Sequence, residues 1–295
     1  MSAIIIDGKQ AAAEMRVEIA RQVAELKTSA GVTPGLGVIL VGQDPASASY
    51  VTAKEKACAE AGMFSEDRRL PPDISQSDLL AEVGRMNADP RIHGILVQLP
   101  LPRHIDEKAV INAIAPAKDV DGFTPVNIGR MLIDEPCYLP CTPHGIIQLL
   151  IRSGVETSGR HAVVVGRSNI VGKPVAHLLM RKAPGGNATV TVCHTGTRDL
   201  ASFTRQADIL VVAAGRAGTV TGSMIKPGAT VIDVGVNRIP DATARNGFRL
   251  VGDVDFASAC ETAGRITPVP GGVGPMTITM LLHNTLESAR RAASR

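Results

Sequence analysis

Ala162-Val163-Val164-Val165-Gly166-Arg167-Ser168-Asn169-Ile170-Val171-Gly172-Lys173-Pro174 is the stretch that decides the fold. Its apolar run predicts a buried strand over His161–Val165, and the glycines at 166 and 172 bracket a tight turn into a helix. Strand, glycine turn and helix in that order set backbone N–H groups at a helix N-terminus, where a pyrophosphate binds. The turn reads GxSxxxGxP, not GxGxxG. Ser168 stands where a second glycine would, so its small hydroxyl is either tolerated beside the phosphates or bonded to them. The plainer alternative is an ordinary strand-to-helix turn. The strands that follow favour a dinucleotide site.

Those strands are predicted at residues 188–193, 208–213 and 230–234, and more weakly at 250–251, with helices between them. Thr142-Pro143 opens a helix through Ile151 that Gly154 closes. Towards the N-terminus a second alternation appears. Residues 8–30 carry Ala12, Met15, Ile19, Val23 and Leu26 at helical spacing, with Gly31 as a stop. Strands follow at 36–41, 63–70 (weak) and 93–99, and helices at 77–87 and 106–115. Residues 116–141 hold several prolines and no clear period, so they read as a connector. The last helix, from Pro275 to about residue 292, has Ile278, Leu281, Leu282, Leu286 and Ala289 on one face, which must be buried. The expected fold is therefore two α/β domains, the second a Rossmann-like dinucleotide-binding domain, with the C-terminal helix returning to the first. The boundaries are residues 1–140 with 275–295 for one domain and 141–274 for the other.

Composition narrows the function. Of the 295 residues, 44% are hydrophobic and 20% charged, which is a globular chain and not a disordered one. A net charge of +3 suits small anionic ligands. No basic stripe interleaved with aromatics appears, which argues against nucleic acid. The five cysteines form no CxxC pair and suit a reduced cytoplasmic protein, and the seven histidines lack zinc-ligand spacing. Ile4-Ile5-Ile6 is too short for a signal-peptide core, and no apolar run approaches the roughly 20 residues of a membrane span.

The second cofactor-domain strand is followed by His194-Thr195-Gly196-Thr197-Arg198, with no carboxylate before Asp199. An NAD site commonly offers one there for the ribose hydroxyls. Arg167 in the glycine turn and a hydrogen bond from Thr195 favour the 2′-phosphate of NADP. The alternative leaves Arg167 in solvent and binds NAD through backbone contacts.

In the first domain, Asp44-Pro45 starts a helix that Gly62 ends. Tyr50 and Lys54 are four apart on it, so a ring and an amine face the same space. Alone, such a lysine is usually a solvated surface residue. Val97-Gln98-Leu99-Pro100 and Asp119-Val120-Asp121-Gly122 add weight to a functional one.

Together with Pro140-Cys141-Thr142-Pro143, Gly166-Arg167-Ser168 and Pro268-Val269-Pro270-Gly271-Gly272-Val273-Gly274-Pro275-Met276-Thr277, these segments resemble, in order, the bifunctional methylenetetrahydrofolate dehydrogenase/methenyltetrahydrofolate cyclohydrolase family. The resemblance covers nearly the whole chain. It implies a two-domain fold with a cleft for folate and NADP, often as a homodimer paired through the cofactor domain. Thr195-Gly196 departs from the Ser-plus-basic pair common in the family, and residues 183–187 look like a slightly long loop.

The resemblance implies two reactions. The first oxidises 5,10-methylenetetrahydrofolate to the methenyl cation. Two flanking nitrogens push the hydride out, so alignment matters more than an acid or base. The second hydrolyses the cation to 10-formyltetrahydrofolate and needs a general base and acid near neutral pH. Lys54 is the candidate, because burial and a cationic substrate both lower a lysine pKa. Gln98 orients the amine without an anion that would raise that pKa. Tyr50 packs on the folate ring system, and Asp121 accepts from the pterin. Asp119 is the competing carboxylate, and the family pattern selects Asp121. Val97 and Leu99 flank Gln98 in the substrate site. Pro270, Gly271, Gly272, Val273, Gly274 and Pro275 let backbone approach a flat ligand. Gly166, Arg167, Ser168, Thr195 and Val236 are the cofactor set. Two rivals are a Rossmann dehydrogenase of another small substrate and a non-catalytic dinucleotide-binding protein. Both leave Tyr50, Lys54, Gln98 and Asp121 unexplained.

Overall fold

A computed structural model describes residues 2–244 and 247–294. The chain runs through β1 (Ile4–Ile5), α1 (Gly8–Ala30), β2 (Gly35–Val41), α2 (Pro45–Glu60), β3 (Phe64–Leu70), α3 (Gln76–Ala88), β4 (Gly94–Val97), α4 (Glu107–Ala113) and α5 (Pro125–Leu132). It continues through α6 (Cys141–Arg152), β5 (His161–Val165), α7 (Gly172–Met180), β6 (Thr189–Cys193), α8 (Leu200–Thr204), β7 (Ile209–Val212) and β8 (Thr230–Asp233). It ends with β9 (Asn237–Pro240), β10 (Phe248–Val251), α9 (Phe256–Thr262), β11 (Arg265–Ile266) and α10 (Val273–Ala293). Two compact units result: Ala13–Cys141 with Ile278–Arg295, and Met1–Ala12 with Thr142–Thr277.

In the first unit the described residues form a parallel sheet in the order β3-β2-β4. The middle strand reads GLGVILV and is buried at every position, as a parallel strand covered on both faces must be. Ile39, Leu79, Val83, Met86 and Ile95 pack into one core. The expected return of the C-terminal helix is seen. Leu281, Leu282, Leu286 and Ala289 are buried, and Ser288 donates to the carbonyl of His93 at 2.6 Å.

Residues 116–141 are not the featureless connector that their prolines suggested. They contain α5, whose cap Thr124 accepts from the Asn127 N–H at 3.4 Å, with Pro125 in its first turn. Eight residues are too few to display a period, but Thr-Pro is itself a helix-start signal.

In the second unit the described residues form a six-stranded sheet in the order β1-β11-β8-β7-β5-β6, parallel throughout. Val163, Val165, Leu210, Val212, Val231 and Ile266 fill its core. Strands β1 and β11 have two residues each, too short to show periodicity, and β1 places the N-terminal segment in this unit. Leu250 and Val251, a weak strand candidate from sequence, lie in the antiparallel hairpin β9–β10, outside the main sheet. From β5 the chain moves to β6 on one side and then crosses to β7 on the other. The carboxyl ends of β5 and β7 therefore part at a topological switch point, where open α/β sheets bind ligands.

Candidate functional site

At that switch point the strand β5 hands over to Gly166, whose φ is +128°. A Cβ there would lie 2.1 Å from the carbonyl oxygen of Ala213, just beyond β7, so only glycine fits. A Cβ on Gly172 would lie 2.3 Å from the Gly166 oxygen. These two glycines bring the turn against the first residues of α7 and leave a backbone cradle suited to a pyrophosphate. Ser168 is held locally: its Oγ accepts from the N–H groups of Val171 at 3.1 Å and Gly172 at 3.2 Å. Its oxygen thus caps the entry to α7, which explains why a hydroxyl replaces the second glycine.

Arg167 and Thr195 are exposed on the loops after β5 and β6, and Val236 is 65% exposed after β8. Asp199 accepts from the Ser202 N–H at 3.3 Å as the N-cap of α8. The first carboxylate past β6 is therefore engaged in capping.

In the first unit, α2 begins where expected. Asp44 accepts from the Ser47 N–H at 2.8 Å, with Pro45 leading the helix. One face of α2 carries Tyr50 and Lys54, and Lys54 is only 4% exposed. Its Nζ sits 4.8 Å from the Tyr50 ring centroid and donates to Oε1 of Gln98 at 2.8 Å. Gln98 follows β4, with Val97 and Leu99 on either side. Its Nε2 donates to the Leu99 carbonyl at 2.8 Å, which turns the amide oxygen to the lysine.

Burial drives the Lys54 pKa below its ordinary value, while Asp121, Cys141 and Cys58 act in the opposite direction. Burial likewise pushes Asp121 up to about 6; the Lys54 charge opposes that rise and Asp119 adds to it. The site therefore holds an amine disposed to lose its proton beside a carboxyl disposed to keep one.

The two aspartates of Asp119-Val120-Asp121-Gly122 have different tasks. Asp119 is buried and accepts from the N–H groups of Gly122, Phe123 and Thr124 at 3.0, 3.1 and 2.8 Å. It also accepts from the Asn127 amide at 2.8 Å. Four donors fix it as the scaffold of the loop, whereas Asp121 faces Lys54 and takes a hydrogen bond from Cys141. Gly122 has φ +75°, and a Cβ there would lie 2.8 Å from the Tyr138 oxygen.

Two residues that the sequence reading gave no role of their own support this loop. Asn284 of α10 donates to the carbonyls of Val120 at 2.8 Å and Leu139 at 3.0 Å, so the C-terminal helix holds the Asp121 loop. Its signal was a polar residue among apolar ones on the helix face. Cys141 is buried and donates from Sγ to the Val120 oxygen at 3.3 Å; burial and Asp121 raise its pKa.

The glycine-rich loop from Pro270 to Pro275 leads into α10 in the second unit. Gly271 has φ +108°, and the Gly272 N–H donates to the Pro268 carbonyl at 2.9 Å. A Cβ on Gly8 would lie 1.7 Å from the Gly272 oxygen, so this loop and the start of α1 meet backbone to backbone. Among the described residues, no three His, Cys, Asp or Glu side chains are gathered to hold a metal ion.

Comparison with known proteins matches residues 6–121 to the tetrahydrofolate dehydrogenase/cyclohydrolase catalytic domain and residues 140–293 to the NAD(P)-binding domain of the same family. The bifunctional protein FolD of Syntrophus aciditrophicus is 59% identical over 293 residues, 99% of each chain. A Trypanosoma brucei methylenetetrahydrofolate dehydrogenase-cyclohydrolase, solved with NADP cofactor and inhibitor, superposes with a TM-score of 0.94 at 44% identity over the whole of both chains. The Campylobacter jejuni enzyme FolD superposes at 0.92 with 45% identity, covering 98% of this chain and 99% of its own.

Proposed function

The chain belongs to the tetrahydrofolate dehydrogenase/cyclohydrolase family, and on that premise we propose that it oxidises 5,10-methylenetetrahydrofolate with NADP and hydrolyses the methenyl product to 10-formyltetrahydrofolate. The observation that carries this is the buried Lys54 held at 2.8 Å by the neutral amide of Gln98. A dehydrogenase alone needs no such amine.

For hydrolysis, water adds to the methenyl carbon and its oxygen gives up both protons as one carbon–nitrogen bond breaks: the departing folate nitrogen gains one proton, and one is released to solvent. Lys54, with its pKa lowered by burial, takes the first proton and can return it. Gln98 fixes the amine while adding no anion that would lock it as ammonium. The Tyr50 ring packs against the folate, and Asp121 accepts hydrogen bonds from the pterin. Val97 and Leu99 shape the wall beside Gln98.

When bound, NADP supplies the hydride acceptor for the oxidation. Gly166 and Ser168 form the turn that receives its pyrophosphate, and Val236 lies against the cofactor. Arg167 and Thr195 bind the 2′-phosphate; the engagement of Asp199 in capping α8 leaves no ribose-binding carboxylate from this loop to oppose it. We assign the folate chemistry to residues 13–140 with 275–295 and the cofactor to residues 141–274, whose sheet the N-terminal strand β1 joins. The protein is a homodimer paired through the cofactor domain. It works in the cytoplasm, in keeping with its five free cysteines.

An absorbance time course with purified protein tests the assignment. NADPH formation from 5,10-methylenetetrahydrofolate, with enzyme-dependent loss of methenyl absorbance, is expected. NADPH without hydrolysis contradicts the role of Lys54. Sedimentation of the same sample reports the dimer.

A further inference from the structure

The turns after β7 and β8 close on two carboxylates that the chemistry above does not use. Asp253, fully buried, accepts through Oδ2 from the N–H groups of Ala214 at 2.6 Å and Gly215 at 2.8 Å. Through Oδ1 it accepts from the Asn237 amide at 2.8 Å. Asp233, the last residue of β8, accepts through Oδ1 from the N–H groups of Gly235 at 3.0 Å and Asp253 at 2.9 Å. Its Oδ2 accepts from the Val254 N–H at 3.0 Å.

Two glycines exist to admit these acids. A Cβ on Gly235 would lie 2.2 Å from the carboxyl carbon of Asp253, and one on Gly252 would lie 1.7 Å from Oδ2 of Asp233. Buried carboxylates that attract this many backbone donors fix the backbone that supplies them. Here that backbone is specific. Ala214 and Gly215 continue from Ala213, whose carbonyl is the surface that Gly166 rests on. Gly235 and Asn237, one held by each acid, are the two neighbours of Val236.

We propose that Asp233 and Asp253 act as a buried clamp that positions the dinucleotide site, holding the floor beneath the Gly166 turn and both flanks of Val236 in the geometry that binds NADP. The inference rests on the NADP assignment above. It makes both acids positioning residues, since neither touches the reacting atoms. A purely structural role would instead lower the melting temperature and reduce both activities in parallel.

Asp253→Asn keeps the shape but turns one acceptor oxygen into a donor that faces N–H groups. Calorimetric titration with NADP, the KM and kcat for NADP, and hydrolysis of methenyltetrahydrofolate without cofactor are measured on the full chain. The Kd and KM for NADP are expected to rise about tenfold or more, with kcat and hydrolysis changed far less. A folded variant with Kd within about twofold of the parent overturns the clamp, as does a parallel fall of both activities. Should Asp253→Asn not fold, Asn237→Ala removes a single donor from Asp253. A rise in NADP Kd of about threefold supports the clamp, and a parental Kd overturns it. A parent that binds no NADP contradicts the cofactor assignment itself, which separates the two failures.

Discussion

The amide oxygen of Gln98 faces the amine of Lys54 at 2.8 Å because the amide nitrogen is committed to the Leu99 carbonyl at 2.8 Å. A neutral acceptor locked in that orientation places the lysine and stabilises its charge less than a carboxylate in the same position would. Burial then dominates, and the amine is disposed to exchange protons nearer neutrality than its ordinary 10.5.

Gln98→Glu tests the neutrality of that partner. A carboxylate in the same place favours the ammonium and raises the lysine pKa. The ascending limb of the hydrolysis pH–rate profile is expected to move alkaline by about one unit or more. A profile superposable on the parent's means that Gln98 does not tune the amine.

Asp121 sits at about 6 against an ordinary 3.8, chiefly because burial disfavours its anion. A carboxyl raised on folding contributes stability that is fully present below 3.8 and lost as pH rises through about 6. Asp121→Asn is therefore expected to gain melting temperature relative to the parent near pH 8 but not near pH 4. The same variant lacks a paired anionic acceptor, so its folate KM rises by roughly ten- to a hundredfold. In the parent, folate KM rises as pH falls below about 6. A pH-independent KM from about pH 5 to 8 removes Asp121 from the pterin contact.

Asn284→Ala leaves the Val120 and Leu139 carbonyls without the amide that now bonds them at 2.8 and 3.0 Å. Denaturant unfolding should show a loss of about 1–3 kcal/mol. Because those carbonyls flank Asp121 and Cys141, folate KM is expected to rise as well. Unchanged KM in the destabilised variant means that the helix supports the fold and not the site.

Gly166→Ala forces a side chain into a φ of +128° and to within 2.1 Å of the Ala213 oxygen. The expected cost is about 2–4 kcal/mol, with NADP affinity reduced far more than hydrolysis. Equal loss of both activities speaks against a cofactor role for this turn.

Much of this was legible in the sequence because it depends on local rules. Gly166 after four buried apolar residues, Pro45 after a capping Asp44, and the spacing of Tyr50 and Lys54 each announce their own geometry. What stayed hidden depends on distant partners. The two-residue strands β1 and β11 have no pattern until they lie side by side. The structural role of Asp119 could be weighed against Asp121 from a resemblance, but the four donors that converge on Asp119 appear only in the fold. Asp233 and Asp253 are twenty residues apart and look like a strand end and a loop acid until their shared backbone donors are seen.

Lys54→Met removes the amine while keeping an apolar stem in a buried site, so the fold should be retained or slightly strengthened. The decisive measurement is the decay of methenyltetrahydrofolate absorbance with this variant, corrected for the uncatalysed rate and accompanied by its NADP affinity. Hydrolysis is expected to fall by at least about a hundredfold with NADP binding intact. Hydrolysis at the parental rate in the folded variant would contradict the assignment of Lys54 as the proton-transfer group.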